Sequence, residues 1–180
     1  MKSTLVKQRG ATLLTVLLLL LIMTLIALAT MRGTLMQEKM SGNLYDRSLS
    51  FQATEVALRN AEREMEDIAN RADILGLNDD ALTSGDFSCD PATGYCPSPD
   101  DNQPERWLVE ANWADGPLVN GVQTQFMIEY MGDWPSWRDC DKVLPQDAAC
   151  MTPRYRISAR SDNDNRSQTV LQSNYSAPAL

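Results

Sequence analysis

Cys89, Cys96, Cys140 and Cys150 are the side chains in this 180-residue chain most able to do covalent chemistry. A zinc site would need closely spaced C-x-x-C pairs or histidine ligands, and the chain has neither that spacing nor any histidine. A reactive thiol would need a neighbouring histidine or a redox motif. Disulfide pairing is left. Four cysteines allow three connectivities. Local pairing, Cys89 with Cys96 and Cys140 with Cys150, is the first choice because each pair closes a short loop bounded by prolines. Each bridge would contribute about 2–3 kcal/mol by restricting the unfolded loop. Oxygen ligands occur in Asp162-Asn163-Asp164 and around Cys140 in Asp139-Cys140-Asp141. The full calcium loop, with Gly at its sixth position and Glu at its end, is missing, so both read as solvated turns.

The same inventory excludes most catalysis. Without histidine there is no Ser-His-Asp or Cys-His machinery and no histidine pH switch. No Gly-rich phosphate loop or G-x-S-x-G elbow occurs. The chain is expected not to be an enzyme, with no catalytic residue, no metal and no cofactor. A net charge of −8 speaks against non-specific binding to nucleic acid or to anionic lipid.

What must position the cysteines is a chain of uneven composition. Ala11 to Met31 is an apolar run without a charge, Pro or Gly. At about 1.5 Å per residue, such a helix is roughly 30 Å long, the thickness of a bilayer's hydrocarbon core. A small soluble domain could not cover a helix apolar on every face. A cleaved signal peptide would have a shorter apolar region, although Ala27-Leu28-Ala29 has the look of a cleavage site. A retained membrane-spanning helix is the favoured reading. Lys2, Lys7 and Arg9 precede it, so the N-terminus should stay cytoplasmic and the rest be exported, where disulfides persist.

From Arg32 to about Ala72 the pattern predicts continuation of the same helix. Leu35, Met36, Met40, Leu44, Leu49, Ala53, Val56, Ala57, Leu58, Ala61, Met65, Ile68 and Ala72 recur mostly at three- and four-residue intervals, with charged residues between them. Gly42 is the weak point, costing about 1 kcal/mol against Ala. Beyond the helix, Trp107–Trp113 and Gly121–Met131 alternate as strands. Tyr155–Arg160 and Ser167–Tyr175 form a hairpin about the turn-rich Ser161–Arg166. Stretches 76–104 and 132–153 are rich in Pro, Asp, Gly and Cys and read as loops. Trp134 and Trp137, either side of Pro135, are open to two readings, an exposed contact loop or packing beneath it.

Lys7-Gln8-Arg9-Gly10 followed by Ala11-Thr12-Leu13-Leu14 resembles the processing site of type IV prepilins. Glu38-Lys39-Met40-Ser41-Gly42-Asn43-Leu44 and Phe51-Gln52-Ala53-Thr54-Glu55-Val56-Ala57-Leu58-Arg59 look like the start of PilX-type minor pilins. The likeness covers roughly the first 65 residues, and the last 27 resemble that family's C-terminal hairpin less distinctively. The resemblance implies an α+β pilin-like fold: a long N-terminal helix packed on a small antiparallel β-sheet head. It divides the chain into a leader peptide at 1–10, a transmembrane and filament-core helix at 11–31, an amphipathic half of that helix at 32–75, and a disulfide-stabilised periplasmic head at 76–180.

It also implies chemistry done to the chain by others. A prepilin peptidase would cut between Gly10 and Ala11 and methylate the Ala11 amine. Losing three cations with the leader takes the net charge from −8 to −11. Leu13, Leu14, Thr15, Leu17, Leu20, Leu21, Leu25 and Leu28 would face lipid first and other helices later. The implied role is a minor pilin that primes a type IV pilus and sits at or near its tip, with a part in cell adhesion and twitching motility. Implied partners are other minor pilins, the major pilin, the inner-membrane assembly platform and a large tip adhesin, besides peptidase and bilayer.

One residue departs from the family pattern. In most pilins the fifth mature residue is a glutamate that pairs with a neighbour's N-terminus, and here it is Thr15. A carboxylate in lipid costs roughly 2.5–3.5 kcal/mol on insertion scales for comparable charges. Threonine avoids that cost but cannot neutralise an amine, which suits the first position of a filament. The pseudopilin that caps the type II secretion filament is similar in this respect, so a minor pseudopilin is the runner-up. A membrane-anchored periplasmic binding or adhesin module is the reading from a different class. It predicts an uncut N-terminus.

Overall fold

The structure is a computed structural model that describes residues 11–99, 105–145, 149–162 and 166–178. It divides into two units, residues 1–45 and 46–180. Helix α1, Ala11–Glu64, runs through both and is helical across Gly42.

In the first unit every side chain described on α1 is exposed from Ala11 to Tyr45. Its most apolar window has a mean hydropathy of 2.8, and none of it is buried. An apolar helix can stand this way only in a non-aqueous surrounding or against other helices.

In the second unit the last five turns of α1 change character. Ser50, Ala53, Thr54, Ala57, Ala61 and Met65 are buried at three- and four-residue spacing. Of these, Ala57, Ala61 and Met65 pack in one core with the side chains of the sheet. Helix α1 stops at Glu64, where the sequence pattern predicted unbroken helix to about Ala72. Asp67 caps a second helix, α2, Ile68–Ser84, its carboxylate accepting from the Ala69 N–H at 2.9 Å. The Asn70 amide donates to the Glu64 carbonyl at 2.9 Å and so ties off the end of α1. Apolar spacing persists across this joint because α2 buries Arg71, Ile74, Asn78 and Ala81 on its own inner face. Periodicity alone therefore misses the break.

Two further expectations are corrected. Residues 76–84 are helix rather than loop, closed by Gly85 in the left-handed region with its N–H bonded to Ala81 O. Residues 107–113 form no strand. Two 3-10 turns, Arg106–Leu108 and Glu110–Asn112, lie there instead, pinned by the Asn112 amide bonded to the Arg106 carbonyl.

The sheet is built from β1 (Tyr95–Cys96), β2 (Ala114–Asp115), β3 (Thr124–Pro135), β4 (Met151–Ser161) and β5 (Val170–Ser176). The order is β1-β3-β4-β5, with β2 also on β3. The β3–β4, β4–β5 and β2–β3 pairings are antiparallel, but β1 runs parallel to β3. The sheet is thus mixed, not wholly antiparallel, because a two-residue strand returning from α2 meets β3 in the same direction. Strands β3 and β4 also extend into 132–135 and 151–153, expected as loop.

Register gives the sheet two faces. Phe126, Ile128, Tyr130, Tyr155, Ile157 and Ala159 join Ala57, Ala61, Met65 and Ile74 in the main core. On the opposite face Met127 packs with Trp113, Cys89 and Cys96.

Candidate functional site

The processing site expected between Gly10 and Ala11 falls at the edge of the described residues. Ala11 opens α1, while residues 1–10, expected as a leader, lie outside the described residues. Thr15 is one turn further. Its hydroxyl donates to the Thr12 carbonyl at 2.9 Å. Thr24, Thr30 and Thr34 turn their hydroxyls back on the same helix, to Leu21, Ala27 and Met31. A hydroxyl satisfied inside its own helix can sit in hydrocarbon without an unpaired donor. Leu13, Leu14, Leu17, Leu20, Leu21, Leu25 and Leu28 are all exposed, Leu13 by 70%. From Leu13 to Leu28 the helix carries an apolar surface, and the hydroxyls of Thr15 and Thr24 within it are bonded to the helix's own carbonyls.

In the head the cysteines form two local bridges. Cys89 and Cys96 are bonded with Cα atoms 4.2 Å apart, and Cys140 and Cys150 with Cα atoms 5.6 Å apart. The first encloses a turn held by Asp90, whose carboxylate accepts from the Ala92 N–H and the Thr93 hydroxyl, each at 2.9 Å. Gly94 in that turn has φ +72°, and a Cβ there would lie 2.9 Å from both the Phe126 carbonyl and the Ala114 Cβ. No other residue would let the bridge sit so close to β3. The second bridge closes the β3–β4 connection. Trp134 and Trp137 are about half exposed there, which resolves their reading toward solvent. Asp139 is engaged by Lys142 and Arg138, so its carboxylate is committed to cations of its own loop. Asn163 and Asp164 of the other oxygen-rich turn lie outside the described residues. Among the described residues no group of three or more His, Cys, Asp or Glu could hold a metal ion.

Sequence reasoning missed the ionic cluster that joins the first bridge to the sheet. Arg106 is buried, and its guanidinium donates to the carbonyls of Pro97, Phe87 and Ser98. The same guanidinium lies 3.7 Å from the Glu129 carboxylate, itself 1% exposed. The signal for it in the sequence was a carboxylate in the middle of the apolar stretch Phe126–Met131.

The return of the last hairpin is clasped to α1. Asp46 accepts from the Ser167 N–H at 2.7 Å and from Arg166 Nε at 2.8 Å. Ser50 donates to the Ser167 carbonyl at 2.5 Å, and the Ser173 hydroxyl donates to Glu62 at 2.8 Å. The Ser167 N–H, assisted by Arg166, holds the Asp46 carboxyl below its usual range against the opposing effect of desolvation. Tyr155, wholly buried, is pushed up to about 12 chiefly by burial and stays neutral.

A long helix, apolar where it begins and packed on a small mixed sheet where it ends, defines a pilin-like α+β fold. Residues 9–59 match the family model PilX N-terminal. Over those residues the chain is similar to the N-terminal domain of PilX-type minor pilins of type IV pili. No curated protein and no solved structure matches the chain.

Proposed function

We propose that this chain is a minor pilin that primes assembly of a type IV pilus and is incorporated at or near its tip. In this reading the chain waits in the inner membrane, N-terminus cytoplasmic and head periplasmic, and is cut between Gly10 and Ala11 and methylated on Ala11. The helix from Leu13 to Leu28 then exchanges lipid for neighbouring helices. Other minor pilins, the major pilin, the assembly platform and a tip adhesin are its partners.

Thr15 is the observation that carries the reading. Its hydroxyl is used within α1, and it supplies no carboxylate to neutralise the amine of a subunit already in place. A subunit that cannot dock by that contact fits the start of a filament, where it is preceded by none.

Two measurements test it. Intact mass of the membrane-extracted protein should give a chain starting at N-methylated Ala11. A chain starting at Met1, or beyond Ala29, would refute the processing and the role together. Labelled subunits should mark filament ends. If wild type and Thr15→Glu both spread evenly along the shaft, the tip assignment fails.

A further inference from the structure

We propose that the free edge of β5 receives an extended strand from another protein, one with alternating apolar side chains and a carboxylate placed against Arg154. This surface belongs to the head alone and stands apart from the tip assignment.

Backbone bonding defines the edge. Ala177 N donates to Pro153 O at 3.1 Å, and Ser161 N to Thr169 O at 3.0 Å. With the unbroken β4–β5 register between them, residues 171, 173 and 175 turn their N–H and C=O toward β4. Val170, Gln172, Asn174 and Ser176 turn theirs away, and all four are exposed. Among the described residues no strand pairs on that side. Edge strands of soluble domains are ordinarily guarded by charge, proline, a bulge or brevity. Val170–Ser176 has no charged residue, no proline and no register shift over seven residues. It is an open template for pairing.

Side chains next to this edge say what the added strand should carry. Register places Val170, Gln172 and Asn174 on one sheet face with Arg160, Ser158, Arg156 and Arg154. On that face lie two hollows. One, of about 370 Å³, is lined by Trp107, Ser158, Val170 and Gln172. The other, of about 190 Å³, is lined by Met131, Trp134, Arg154 and Asn174. Val170 and Asn174 are four residues apart, roughly 13 Å along a strand. A strand hydrogen-bonded to β5 points every second side chain to this face, so two side chains four residues apart can reach the two hollows. Main-chain bonds then give affinity and the hollows give selectivity. The first hollow, with the half-exposed Trp107 and Val170, takes an apolar side chain. The second holds an exposed arginine. Arg154 lies 3.5 Å from the Pro135 carbonyl and makes no ion pair with the described carboxylates. In a chain of net charge −8, an arginine without a carboxylate beside an exposed tryptophan is complementary to an acidic side chain. The same net charge disfavours a second copy on this edge, because two acidic heads would be brought together.

The test uses the full chain in detergent and short blocked peptides of alternating threonine and valine. One peptide carries a glutamate in place of a valine near one end, and the other a lysine there. At about ten times its dissociation constant the glutamate peptide should slow amide exchange about tenfold at Val170, Gln172, Asn174 and Ser176. Leu171, Ser173 and Tyr175, already bonded to β4, should not change. The lysine peptide should bind about tenfold more weakly, and Arg154→Gln should erase that difference. Gln172→Pro removes an outward N–H without touching the ladder to β4, and should abolish binding while Leu171 and Ser173 stay protected. The proposal is overturned if the four amides are indifferent to the peptide, or if glutamate and lysine peptides bind alike. It is equally overturned if the four amides are protected without peptide in a concentration-dependent way, which would assign the edge to a second copy.

Discussion

Glu129 and Arg156 meet across β3 and β4 as register partners, joined by two bonds of 2.7 and 2.9 Å. With Arg106 3.7 Å from the same carboxylate, one buried anion holds two cations, and through Arg106 the carbonyls beside the first disulfide. Burying such charges is costly, and removing one partner is costlier still because the others stay buried unpaired. Glu129→Gln should therefore destabilise the head by about 3–5 kcal/mol. Urea unfolding followed by the fluorescence of the buried Trp113 would measure it. A loss well under about 1 kcal/mol would mean the cluster is solvated.

The Asp46 clasp sets a pH dependence. Its folded pKa is lowered, first by the Ser167 N–H and then by Arg166. A depressed carboxyl stabilises the folded state above its unfolded value, about 3.9, and that contribution is lost as pH falls through the lower folded value. Amide exchange at Ser167 should accelerate over that acidic window in the wild type, beyond the intrinsic trend. Asp46→Asn should remove the extra acceleration and leave Ser167 less protected at neutral pH.

Arg71 is 5% exposed on the inner face of α2, makes no ion pair with the described residues, and has an unbonded Nε. The neighbouring Tyr155 hydroxyl is also unbonded. A buried guanidinium without a counterion opposes folding. Arg71→Met, similar in length and apolar, should raise stability by about 1 kcal/mol or more. A fall in the urea midpoint would show that the charge is compensated.

Because the Thr15 hydroxyl bonds Thr12, removing it should matter little. Thr15→Val is expected to leave membrane insertion and the number of labelled filament ends unchanged. Thr15→Glu should lower insertion, by less than the roughly 2.5–3.5 kcal/mol that a charge costs at a helix centre, because residue 15 lies near the start of the run. If valine and glutamate were equally disruptive in an end-labelling assay, the threonine itself would be a contact.

Much of this architecture could be read from residue order, in those places where one physical rule acts alone. The apolar run of α1 has no competing pattern. Tyr155, Ile157 and Ala159 alternate cleanly in β4, and the close pairs of cysteines favour local bridges. The reading failed where a single residue overrides a pattern. Asp67 starts a new helix inside an unbroken apolar rhythm. Gly76 and the Asn78-Asp79-Asp80 run look like a turn, yet Asn78 is buried and its side chain accepts from the Ser98 N–H at 3.0 Å. Trp107–Trp113 alternates as a strand would, although the chain there makes two 3-10 turns. The Arg106–Glu129 cluster depends on partners distant in sequence, and no local pattern encodes it. The β5 edge was legible as a strand but not as an edge, since order within a sheet is a tertiary fact.

The clasp between Ser50 and Ser167 spans 117 positions of sequence. A ribosome delivers the alanine row of α1 long before it delivers the strand that shelters it. The α2 and β3 side chains that pack with Ala57 and Ala61 come next, and only the final hairpin completes that cover. Truncation ahead of residue 166 would leave Asp46 and Ser50 without the partners that tie the helix to the last hairpin, so the closing stitch of the head is among the last pieces of chain to be made.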